Sequence, residues 1–120
     1  MIGGVSASAA GLPESAAVSV ITIGELRAGV RLAREPSVRA ARQRRLNAIQ
    51  QAFEPLPVDE LVAEHYGEIL ALARSAGRPS KATDLLIIAT AAATGRALYT
   101  LDDRQASLAR RARVVVTARR

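Results

Sequence analysis

Three carboxylates stand out in a 120-residue chain that has no cysteine and a single histidine. Glu25 follows the β-branched run Ala17-Val18-Ser19-Val20-Ile21, Asp84 follows a Ser/Lys/Thr loop, and Asp102 follows Ala97-Leu98-Tyr99-Thr100. Without cysteine, thiolate nucleophiles, disulfides and zinc fingers are excluded. A metal site has to be built from carboxylates, which select hard cations such as Mg²⁺ or Mn²⁺. Crowded carboxylates repel one another, and a divalent ion relieves that repulsion. The ion also polarises a phosphate oxygen and lowers the pKa of a bound water, which permits phosphodiester hydrolysis without His or Cys.

The charge balance fits that chemistry. Seventeen Lys+Arg against eleven Asp+Glu give a formal charge of +6, a field that attracts polyanions, nucleic acid first. Only 2% of residues are aromatic, so a base-stacking platform lacks material. Tyr66, Tyr99 and Phe53 fall at buried-pattern positions, and His65 reads as structural or solvent-facing. No segment reaches the roughly 18 apolar residues that span a bilayer. The opening residues lack a basic region and an apolar run, so no secretory signal is read and the cytoplasm is the expected compartment.

The elements that must position these acids follow from pattern and punctuation. Residues 1–15 are Gly/Ser/Ala-rich without periodicity and read as a flexible N-terminal segment; residues 16–120 read as the folded domain. A buried strand is expected over 17–21, with Thr22 capping a helix that runs to about residue 33. Pro36 and Ser37 start a helix over 38–53, with Val38, Ala41, Leu46, Ile49 and Phe53 inward and Arg39, Arg42, Arg44 and Arg45 outward. Pro55 and Pro57 keep the next segment extended. Asp59 caps a helix whose inward residues include Leu61, Val62, Tyr66, Ile69, Leu70 and Ala73, and Gly77 ends it. A central apolar helix covers 85–94 with Gly95 beyond its end. A strand over 97–100, a short helix over 102–110 and a strand over 113–117 complete the chain.

Strands separated by helices, with no hairpin signal, point to an α/β layer fold with a parallel sheet. In such sheets functional groups gather beyond the carboxyl ends of the strands. A parallel sheet therefore places Glu25 and Asp102 at one edge, where Asp84 joins them if its helix begins there. Each acid also has a plain reading: Glu25 and Asp84 as first-turn acids that complement a helix dipole, and Asp102-Asp103 as a turn. Their shared edge and the apolar sequence beside Glu25 and Asp84 favour the functional one, because a carboxylate beside a core is costly unless paired or bound to a cation. Arg96 and Arg104 flank the site as phosphate contacts or as surface.

At these positions the chain resembles a known family. Val18-Ser19-Val20-Ile21-Thr22-Ile23-Gly24-Glu25-Leu26-Arg27-Ala28-Gly29-Val30 resembles the second-acid motif of PIN-domain ribonuclease toxins of the VapC type. Asp84-Leu85-Leu86-Ile87-Ile88-Ala89-Thr90-Ala91 resembles their third-acid motif, and Leu98-Tyr99-Thr100-Leu101-Asp102 their fourth. The resemblance implies a Rossmann-like α/β/α PIN domain and a Mg²⁺- or Mn²⁺-dependent endoribonuclease that acts on RNA. It also implies a homodimer and inhibition by a cognate antitoxin whose segment enters the acidic groove. Carried onto this chain, Glu25, Asp84 and Asp102 are the catalytic metal ligands. Thr100 is a supporting hydroxyl, and Asp103 is a substitute for Asp102.

One departure concerns the start. The family opens with an apolar strand ending in Asp, its first metal ligand, whereas no Asp precedes Asp59 and Glu14 is the only acid in the first 24 residues. The first strand is therefore expected to be missing. Either the protein begins further upstream, or the chain is a degenerate relative, a non-catalytic PIN-like module that binds antitoxin or RNA without cutting. A small DNA-binding regulator using the Arg39–Arg45 helix is a third reading, which the motif set disfavours.

Overall fold

The structure is a computed structural model that describes residues 4–8, 17–100 and 102–118. Its elements run β1 (Gly4–Ser8), β2 (Ala17–Ser19), α1 (Val20–Leu32), α2 (Pro36–Ala52), β3 (Glu54–Leu56), α3 (Glu60–Ser75), α4 (Ala82–Thr94), β4 (Arg96–Thr100), α5 (Asp103–Arg111) and β5 (Val116–Ala118). Strands β2 and β3 pair in parallel, as do β4 and β5. The parallel connections expected from strands separated by helices are present.

β1 departs from the expectation of a flexible start. It pairs antiparallel with β4, Gly4 opposite Tyr99 and Val5 opposite Leu98, with a bulge before Ser8 meets Arg96. It also lies alongside β2, and so fills the space between the β2–β3 pair and the β4–β5 pair. Gly, Ser and Ala have weak strand propensity, so nothing local announces this strand. The open edge of β4 supplies the hydrogen-bonding partners instead. Glu14 lies outside the described residues.

Helix ends explain the rest of the layout. Ser19, not Thr22, caps α1: its hydroxyl accepts the Ile21 N–H at 3.1 Å, and Thr22 is buried inside the first turn. Pro36 is itself the first residue of α2, where its missing N–H costs nothing. Asp59 caps α3 by accepting the Val62 N–H at 3.0 Å, as its sequence position predicts. Gly95 ends α4 at φ 66°, a left-handed turn in which a Cβ is strained.

The core is centred on α4, whose Leu85, Ile87, Ile88, Ala89 and Ala91 are buried among Leu98, Leu108, Val62 and Ile69. A separate, smaller cluster of Leu26, Val30 and Leu46 joins α1 to α2. Leu46 is the only fully buried residue of α2; Val38 and Ala41, expected inward, are exposed, as is Leu61 on α3. No described helix is long and apolar enough to cross a membrane.

Candidate active site

Asp84 and Asp102 share one cleft of about 220 Å³ between the N-terminal ends of α4 and α5. Asp102 stands where β4 ends and α5 begins. The Thr100 hydroxyl accepts the Asp102 N–H at 3.0 Å, which bends the chain out of the strand. One Asp102 carboxylate oxygen, Oδ1, accepts the N–H groups of Arg104 and Gln105 at 2.9 and 3.2 Å and so caps α5. Its second oxygen is left for a ligand.

Asp84 is the third residue of α4, a helix with no side-chain cap. Burial pushes its carboxyl above the usual aspartate range, and the neighbouring Asp102 pushes the same way, while Lys81 pulls it back. A carboxyl pushed up by burial and by a second acid in the same cleft marks a candidate functional site. The donor set of the two acids suits a hydrated Mg²⁺ or Mn²⁺, because such ions keep several waters and need only one or two protein carboxylates.

Gln105 ties the two acids together, a role the sequence reading did not give it. It is buried; its backbone N–H reaches Asp102, and its side-chain Nε2 donates to the backbone carbonyl of Asp84 at 3.4 Å. The signal was available: an N-cap acid followed three residues later by Gln is a capping-box pattern. Here the Gln side chain reaches across to α4 instead of back to its own cap. Lys81 and Arg104 complete the lining, and Asp103 is exposed in the first turn of α5.

Glu25 is not among the residues that line this cleft. It lines a different one, with Leu26, Gly29, Arg42 and Arg45. The cause is register. Because Ser19 caps α1, Glu25 is the sixth helical residue rather than a first-turn acid, about 4.5 Å further along the axis than a Thr22 cap would place it. The buried stripe Thr22, Leu26 and Val30 then turns Glu25 toward α2. Among the described residues, no group of three or more Asp, Glu, His or Cys converges to hold a metal.

The comparisons with known proteins agree with this architecture. Residues 5–111 match the PIN domain family, a match that begins inside β1, ahead of the boundary at residue 16 read from composition. Ribonuclease VapC4 of Mycobacterium tuberculosis is 41% identical over 91 residues, which cover 76% of this chain and 69% of that protein. Ribonuclease VapC8 of the same organism is 42% identical over 84 residues, covering 68% of this chain and 74% of that protein. Among solved structures, VapBC-5 of Mycobacterium tuberculosis, a member of the VapBC family of toxin-antitoxin systems, superimposes with a TM-score of 0.76 at 33% identity, covering 87% of this chain and 80% of that one. FitAcB from Neisseria gonorrhoeae superimposes with a TM-score of 0.71 at 32% identity, covering 85% and 73%.

Proposed function

The chain belongs to the PIN-domain family, and from that premise we propose that it is the endoribonuclease toxin of a toxin–antitoxin pair, hydrolysing RNA phosphodiester bonds with a divalent metal. The observation that carries the reading is the meeting of Asp84 and Asp102 in one cleft beside Lys81 and Arg104.

Asp84 and the free oxygen of Asp102 are the proposed ligands for Mg²⁺ or Mn²⁺. When bound, such an ion polarises the phosphate and activates water for attack. Thr100 and Gln105 fix the direction of Asp102, and Gln105 fixes its relation to α4. Lys81 and Arg104 offer cationic donors to the phosphate oxygens at the rim of the same cleft. Proton transfer by imidazole has no part here, because His65 lines a different cleft. Glu25, the third acid expected from the resemblance, acts at a distance from the ion in this reading.

The relatives in the VapBC and FitAcB structures support an antitoxin protein as the partner, and RNA as the substrate follows from the ribonuclease relatives. A homodimer and the cytoplasm complete the proposal. The test is RNA cleavage by the 120-residue chain with Mn²⁺, beside EDTA and Asp84→Asn controls. Cleavage that stops in both controls supports the reading, and cleavage that survives either one overturns it.

A further inference from the structure

We propose that the cleft at the opposite ends of α4 and α5 is a second RNA-backbone site, in which Arg111 and Arg113 hold a phosphate a few nucleotides away from the one at Asp84 and Asp102. The inference deepens the ribonuclease reading and rests on it. The cleft has a volume of about 270 Å³, and its lining includes His65, Glu68, Leu72, Ala92, Arg111 and Arg113.

The two clefts are the ends of one seam. On α4, Asp84 and Ile88 line the first cleft and Ala92 the second, an i, i+4, i+8 stripe on a single helix face. On α5, Arg104 and Leu108 line the first, and Arg111 the second, again one face. Between them the seam is closed by the buried Ile88 and Leu108, while Arg78, just beyond α3, donates from Nη1 to Ser107 Oγ of α5 at 3.0 Å. At the helical rise, the eight residues from Asp84 to Ala92 separate the two sites by about 12 Å. A backbone lying along the exposed side of α5 thus meets Arg104 at one end and Arg111 at the other.

Arg113 is the observation that singles out this cleft. It stands just beyond α5, where Arg113 N bonds to Arg110 O and Val114 N to Ala109 O, the wrap that normally ends on glycine. Its φ is 64°, and among the described residues it is the only non-glycine at positive φ. A left-handed arginine gives up backbone comfort for the place of its guanidinium, as strained residues at binding sites do. Helix-dipole complementarity favours arginine at 110, 111 and 113 alike, but it does not require a left-handed backbone at any of them. Among the described residues, no hydrogen bond or ion pair engages the side chains of Arg111, Arg113 or His65. Two guanidiniums outweigh the one carboxylate of the lining, Glu68, an acceptor that a ribose 2′-hydroxyl could use.

The test is fluorescence-anisotropy binding of a labelled 12-nucleotide RNA in EDTA, so that nothing is cut, at several salt concentrations. Arg113→Gly removes the guanidinium and relieves the backbone. It is expected to melt at or above the parent temperature while binding RNA about three- to tenfold more weakly, with the log–log salt slope reduced by about 0.7 for the lost phosphate contact. Arg111→Gln should weaken binding similarly. Arg31→Gln, which removes the same charge from α1, should leave the affinity within about twofold. A parent that binds RNA and an Arg113→Gly chain that binds it equally well overturn the site and leave the ribonuclease reading standing; the cleft would then suit an acidic peptide. Equal weakening by Arg31→Gln also overturns it, since net charge alone would then be at work. A parent that binds no RNA sinks both.

Discussion

Asp102 is locked by the helix it caps, whereas Asp84, across the same cleft, is held only through its backbone. Two N–H groups of α5 point at the Asp102 carboxylate, while the Gln105 amide reaches the Asp84 main-chain oxygen and leaves its side chain free of hydrogen bonds among the described residues. One acid is thus preorganised, and the other keeps its carboxylate free to reorient.

Burial, with Asp102 beside it, sets the pH behaviour of Asp84 in the metal-free chain. The folded Asp84 binds its proton more tightly than an ordinary aspartate, whose pKa is about 3.9. Its favourable contribution is therefore complete below about pH 3.9 and is lost as pH rises through the higher folded value. Asn cannot ionise and suffers no such loss. Asp84→Asn should match the parent in acid and melt at a higher temperature at neutral pH, with the gap opening as pH climbs from about 4. Saturating Mn²⁺ should reverse the order, since an ion at 100 times its Kd stabilises the parent by about 2.7 kcal/mol and has little to bind in the variant. Thermal melts across pH, with and without Mn²⁺, check both halves.

Thr100 is a test of how much the turn matters. It is buried, and its hydroxyl accepts the Asp102 N–H at 3.0 Å. Thr100→Ala leaves that N–H without its partner and should cost about 1 kcal/mol in a urea titration. Cleavage should fall about tenfold or more, in keeping with the loss of a group that orients a ligand. Thr100→Ser keeps the acceptor and should restore most of the activity.

The parts of this molecule that could be read from sequence are those decided within a few residues. Asp59 sits before an apolar-periodic run and does cap its helix, and Gly95 follows such a run and does turn left-handed. β1 was illegible because its residues carry no strand signal; the open edge of β4, almost ninety residues away in sequence, makes it a strand. Val38, Ala41 and Leu61 fit an inward stripe, yet all three are exposed. Asp84 and Asp102 could be placed in one cleft from sequence because each stands at a helix start. Glu25 was placed one turn wrong, since Ser19 and Thr22 are both good caps and only the folded strand end chooses between them.

The α1–α2 pair should come apart independently of the main core. Leu46 is completely buried, against Leu26 and Val30, while most of α2 faces solvent. Arg39 and Arg42 add hydrogen bonds of 2.8 Å to the Ala33 and Gly29 carbonyls, which bind α2 to the end of α1. Leu46→Ala should cost about 2–5 kcal/mol. Its amide exchange should accelerate in α2 and late α1 and change little in α4, because the two clusters are separate. Uniform acceleration would mean that the hairpin and the core unfold as one unit.

Glu25 offers the sharpest division between resemblance and geometry. By motif it is a metal ligand equal to Asp84. By position it lies in a separate cleft with Arg42 and Arg45, in the second turn of α1. Calorimetric titration with Mn²⁺ separates the two. If the Asp84–Asp102 pair is the ion's whole protein shell, Asp84→Asn should weaken binding by about a hundredfold, and Glu25→Gln by less than about tenfold, below the roughly 10–100-fold typical of groups that orient a metal ligand. RNA cleavage should follow the same order. Equal losses in both variants would mean that α1 swings inward when the ion binds. The small Leu26–Val30–Leu46 cluster that anchors it would then be the hinge on which the third carboxylate arrives.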